Sequence, residues 1–114
     1  MNETAHMNPC DLLARLPLPA TDRWPEGVFD VEAFAHAGLS LELFAPRGTD
    51  HQNPHAQDEI YIVIAGSATL DIDGIEHACA VGDALFVAAR VPHRFIDISD
   101  DFATWAIFWG DAKP

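Results

Sequence analysis

The residues able to do chemistry gather in two short stretches. One is Asp50-His51-Gln52-Asn53-Pro54-His55, with Glu59 four positions further on; the other is Val91-Pro92-His93-Arg94. His55 and Glu59 are an even number of residues apart, so on an extended chain both side chains point to the same side of a sheet. His93 opens a later strand after a proline turn. If that strand lies beside the first, two imidazoles and one carboxylate converge, a facial set of nitrogen and oxygen donors with positions left open for water or substrate. Such donors suit one divalent transition metal: iron, manganese, zinc, nickel or copper. The same spacing also describes a His and a Glu solvated on an exposed strand face.

Other reactive side chains have plainer readings. His6, His36 and His77 fall where solvated histidines are expected. Tyr61, Phe95, Trp105 and Phe108 read as core or pocket wall, and Tyr61 shares the parity of Glu59, which aims it at the same pocket. Arg90 and Arg94 flank His93, placed either to receive a substrate carboxylate or to pair with nearby acids. Cys10 and Cys79 are too few and too far apart for a disulfide framework or a metal knuckle, so both read as free thiols.

The elements that must position these groups are mostly strands. Asn8-Pro9 followed by Asp11, Leu12, Leu13 and Leu16 reads as a capped short helix, ended by Pro17 and Pro19. From Gly27 onward, strand-like runs cover 28–35, 39–45, 59–65, 68–73, 75–80, 84–88, 91–98 and 102–109. Asp73-Gly74 between two of them is a tight hairpin signal. Short strands at regular spacing predict an all-β sandwich or barrel, with 1–26 as helix and linker and 27–114 as the barrel. In the run from Glu59 to Ala65 the even positions are all isoleucine and the odd ones mostly apolar, so both faces need cover, from the N-terminal segment or from a second subunit. A homodimer is the expectation.

At 114 residues the chain is one domain, and 49% hydrophobic against 21% charged residues describes a folding sequence rather than a disordered one. A net charge of -12 opposes nucleic acid, anionic membrane and a DNA-binding regulator. The first ten residues have no signal-peptide pattern and no apolar run reaches membrane-spanning length, so the expected location is the cytoplasm.

The two stretches resemble motifs of the cupin superfamily, in its small single-domain form. Asn53-Pro54-His55 through Glu59 to Gly66 looks like the first motif, in which two histidines one residue apart precede a glutamate and then a glycine. The run from Gly82 to Asp97 around His93 resembles the second. The resemblance spans roughly Leu39 to Trp109 and implies a double-stranded β-helix, a jelly-roll barrel with a metal in its mouth held by His55, Glu59 and His93. Asn53 stands where the first histidine belongs. His51, Gln52 and Asn53 are the alternatives for the fourth ligand; Asp50-His51-Gln52-Asn53-Pro54-His55 is similar to a cupin subgroup with an Asp-x-Gln-x-Pro-His run, which makes Gln52 a ligand or a supporting group. Asp97, in the usual asparagine place, shares the parity of His93 and is a candidate to orient an imidazole. The functional expectation is a metal-dependent enzyme, dioxygenase- or isomerase-like, acting on a small molecule. A non-catalytic sensing module and a structural barrel without its metal are the alternatives.

Overall fold

The structure, a computed structural model, describes residues 5–110. The ends of both expected segments, 1–4 and 111–114, lie outside the described residues. The helix α1 (Pro9–Leu13) forms as its signals predict, though shorter: Asn8 caps it by accepting from the N–H of Cys10 at 2.8 Å, and Pro9 takes the first position, where no N–H is needed. Leu12, its buried residue, turns the helix onto the second strand. An extended strap follows, pinned by a bridge between Leu18 and Val28, and its Trp24 lies edge-on to Phe44 with ring centres 6.1 Å apart.

The strands are β1 (Asp30–His36), β2 (Leu39–Phe44), β3 (Asp58–Ala65), β4 (Ser67–Ile72), β5 (Ile75–Ala80), β6 (Ala84–Val87), β7 (His93–Ile96) and β8 (Ala103–Trp109). They form two antiparallel sheets, one ordered β1-β2-β8-β3-β6 and the other β5-β4-β7, whose inner faces close on each other as a jelly-roll barrel. The alternation in β3 explains the packing: Glu59, Tyr61 and Val63 are buried inside, while Ile60, Ile62 and Ile64 form an outer apolar row that stays half-buried. Tyr61 and Val63 meet Leu70, Phe95 and Phe102 in one core. Each such side chain contributes about 1.5–3 kcal/mol by leaving water.

Two turns fix the register. Asp73 and Gly74 both take positive φ, 50° and 87°, in the tight hairpin that pairs Ile72 with Ile75. Gly66, at φ 66°, ends β3 where any Cβ would collide with Ser99 and Asp101 and sit 2.8 Å from the Cα of Phe102.

The placement of β7 corrects one expectation. His93 does not lie on a strand beside Glu59, because both edges of β3 are taken: Glu59 pairs with Phe108 of β8 and with Val87 of β6. β7 pairs instead with β4, in the opposite sheet, and brings His93 to Glu59 across the barrel interior. Its strand is also shorter than the run 91–98, since Arg90 (φ 69°) and Asp97 (φ 50°) turn the backbone out of the extended region on either side.

Candidate metal centre

His93 sits at the first position of β7, and its ring is fixed by a 2.8 Å hydrogen bond between Nδ1 and the carbonyl of Val91. In the neutral ring this contact puts the proton on Nδ1 and leaves the Nε2 lone pair facing the barrel interior. His55 comes from the loop before β3 rather than from the strand itself, and two contacts hold that loop: Arg90 donates its N–H to the His55 carbonyl at 2.7 Å, and Ala89 donates to the Asp58 carboxylate at 2.9 Å. The His55 ring packs on Phe108, centres 4.7 Å apart.

One ligand atom each from His55, Glu59 and His93 lie within 4.8 Å of one another. Donors about 2 Å from a shared ion stand about 3 Å apart when adjacent and about 4 Å apart when opposite, so the cluster is slightly wider than a coordination sphere and would draw in around an ion. Glu59 is 1% exposed, and among the described residues its oxygens meet little beyond the 2.7 Å ion-pair contact of Oε1 with His93 Nε2 and the neighbouring Tyr61 hydroxyl. A buried carboxylate left so poorly satisfied costs several kcal/mol, unless a cation completes it.

The surroundings set the protonation of the donors. Burial pushes His55 below the usual imidazole range and outweighs the opposite pull of Glu59, which favours the neutral, ligating ring. For His93 burial acts the same way, but the hydrogen bond and charge of Glu59 override it and hold the ring above its ordinary value. Burial and the Glu59 charge push the Tyr61 phenol well above its ordinary range. Its hydroxyl donates to Gln52 Oε1 at 3.0 Å and lies 3.1 Å from His93 Nε2.

A cavity of about 30 Å³, the room of a single water, lies between Asp30, Glu42, Phe44, Tyr61 and Phe108 and reaches Gln52 and His55. Burial, with Asp30, Glu32 and Glu59 adding like charge, pushes the Glu42 carboxyl up to about 7. An open groove of about 370 Å³ runs along the rim past Arg94 and Asp71 and meets the site at Gln52 and His93.

Residues 40–109 match the family described as cupin domain, which is more than half of the chain. This chain is a cupin. It is 40% identical over 72 residues to an uncharacterized protein of Streptomyces coelicolor, covering 61% of this cupin and 69% of that protein. Among solved structures, it is similar to protein NMB1881 from Neisseria meningitidis (TM-score 0.68, 17% identity, covering 93% of this chain and 100% of that one). It is also similar to the DMSP lyase DddQ from Ruegeria pomeroyi (TM-score 0.62, 22% identity, 75% of this chain and 48% of the lyase).

In this cupin the three predicted donors His55, Glu59 and His93 meet, and Gln52 joins them with Oε1 3.2 Å from His55 Nε2. His51 turns away instead, edge-on to Trp24 at 5.3 Å and 3.7 Å from Glu26. Asn53 is exposed. Tyr61 and Phe108 line the pocket as expected and Phe95 is core, but Trp105 belongs to the outer face with Ile62, its ladder partner. Asp97 is exposed past the end of β7, where its positive φ breaks the parity with His93, and it lines a surface groove with Cys79 and Asp83. Arg90 reaches the site through its backbone N–H, and Arg94 borders the rim groove. His6, His36 and His77 are exposed; Cys10 is an exposed free thiol and Cys79 a buried one. Asp50, only 3% exposed, is the residue that spacing alone did not mark: it binds both Gln52 and the backbone of Phe95. Among the described residues no helix is long and apolar enough to cross a membrane.

Proposed function

We propose that this cupin is a metal-dependent enzyme acting on a small molecule, with one divalent transition metal held by His55, Glu59 and His93 and with Gln52 at the fourth position. The observation that carries this reading is the buried Glu59 carboxylate, short of hydrogen-bond donors among the described residues and 2.7 Å from another candidate ligand, His93. A bound metal supplies Lewis-acid or dioxygen chemistry at the barrel mouth. The chain's own part is to shape access to it: Phe44, Tyr61 and Phe108 exclude water, while the Tyr61 hydroxyl holds the Gln52 carbonyl oxygen in place. Glu42, poised near neutrality, holds or releases a proton at its carboxylate beside His55. The likeness to a lyase and the fold's range of chemistries leave oxygenation, isomerisation and elimination as the reaction types to test.

The size of the inner cavity favours a second reading, a barrel that binds its metal and a small ligand without turnover. Incubating metal-loaded protein with a panel of small aromatic, thiol and hydroxy-acid compounds, with oxygen uptake and product formation followed together, separates the two. Turnover in the wild type that disappears in His93→Ala supports the enzyme. Saturable ligand binding with no product supports the binding module.

A further inference from the structure

We infer that Asp50 is a positioning residue which, by gripping the amide nitrogen of Gln52, turns the Gln52 carbonyl oxygen onto the metal and makes it the fourth donor. The inference rests on the metal-centre reading above and deepens it. A glutamine amide has two ends of nearly equal size, and only its oxygen has lone pairs to give a cation. Left free, either end of Gln52 fits the site.

Asp50 removes that freedom. Its Oδ2 accepts from Gln52 Nε2 at 2.5 Å and from the Phe95 N–H at 2.8 Å, and its Oδ1 accepts from the Gln52 N–H at 3.0 Å. A carboxylate that receives three N–H donors is an acceptor toward each, so the amide NH₂ end must face it. The Gln52 oxygen then faces the other way, 3.0 Å from the Tyr61 hydroxyl and 3.2 Å from His55 Nε2. Of its two lone pairs, Tyr61 occupies one and the metal position the other. Phe95 lies two residues beyond His93 on β7, so Asp50 also ties the loop that bears Gln52 to the strand that bears a ligand. The consequence is a site of two imidazoles, one carboxylate and one amide oxygen. Such a set is harder than one with a third imidazole and raises the relative preference for Mn²⁺ and Fe²⁺.

The test is a double-mutant cycle on Mn²⁺ affinity, using Asp50→Asn, which keeps the size of the side chain, and Gln52→Ala. Asp50→Asn is expected to weaken Mn²⁺ binding about tenfold in the protein that retains Gln52, and by less than about twofold in the Gln52→Ala background. Equal losses in both backgrounds, or none in either, overturn the inference, since a merely structural Asp50 acts whether or not Gln52 is present. Should Asp50→Asn not fold, side-chain NMR of Gln52 in the Zn²⁺-titrated wild type decides: a shift of the carbonyl carbon with the NH₂ still hydrogen-bonded supports it, and an unmoved carbonyl overturns it. Wild type that binds neither metal, or binds both as well as His93→Ala does, is a different failure: it removes the metal centre and the inference with it.

Discussion

The inner face of β3 changes character along its length. At the mouth of the barrel, Glu59 and Tyr61 join buried His93 and Asp50 and half-buried Gln52 in a polar cluster, and the Glu59 oxygens are left short of donors. At the floor, Val63 meets Leu70, Phe95 and Phe102, all at most 1% exposed, with no polar atom to satisfy. Glu59 and Tyr61 are as dry as Val63, so burial alone does not distinguish the two ends of β3. What distinguishes them is whether the buried groups are satisfied: the floor is a finished core, whereas at the mouth the Glu59 carboxylate is left short of donors, as the proposed metal centre requires.

The floor should break first and hardest. Phe102→Ala removes a fully buried ring and is expected to cost about 3–5 kcal/mol in urea unfolding, while the molecules that remain folded keep the same metal affinity. Loss of metal binding without loss of stability would place Phe102 in the site instead.

At the mouth the effects are smaller and depend on pH. The Glu42 carboxyl, moved from 4.5 to about 7, ionises less readily in the fold than in the unfolded chain. The folded state then binds the extra proton, so metal-free stability falls as pH rises from about 4.5 to about 7 and stays reduced above that. Glu42→Gln is expected to stabilise the metal-free protein by about 1–3 kcal/mol at pH 8 and to change nothing below pH 4.5. A destabilising effect at pH 8 would mean that Glu42 has a partner in solution.

Metal should stabilise the mouth and leave the floor alone. At a metal concentration a hundredfold above Kd, the unfolding free energy rises by about 2.7 kcal/mol, and chelation reverses the gain. In His93→Ala the gain should vanish. The smallest effect belongs to His51, whose ring faces Trp24 and Glu26: His51→Gln should change metal affinity by less than about twofold. A tenfold loss would return His51 to the ligand set.

Much of this was legible in the residues. Alternation exposed the strands, Asp73-Gly74 its hairpin, and the resemblance around His55, Glu59 and His93 the barrel and the three residues that meet in it. What stayed hidden depended on distant contacts. The place of β7 opposite β3 follows from β6 and β8 filling both edges of β3, which no local pattern records. The choice among His51, Gln52 and Asn53 needed the path of a loop rather than the parity of a strand. Asp97 lost its place beside His93 through a single positive φ. The role of Asp50 is not local, because its anchor, the Phe95 N–H, is 45 residues away; the Asp-x-Gln-x-Pro-His run is its one sequence signal.

Metal analysis of protein purified without added metal tests most directly whether the mouth of the barrel is completed by a metal. About one transition metal per chain in the wild type, and far less in folded His55→Ala and His93→Ala, is the predicted result. A folded, metal-free wild type that takes up none of iron, manganese, zinc, nickel or copper would contradict it.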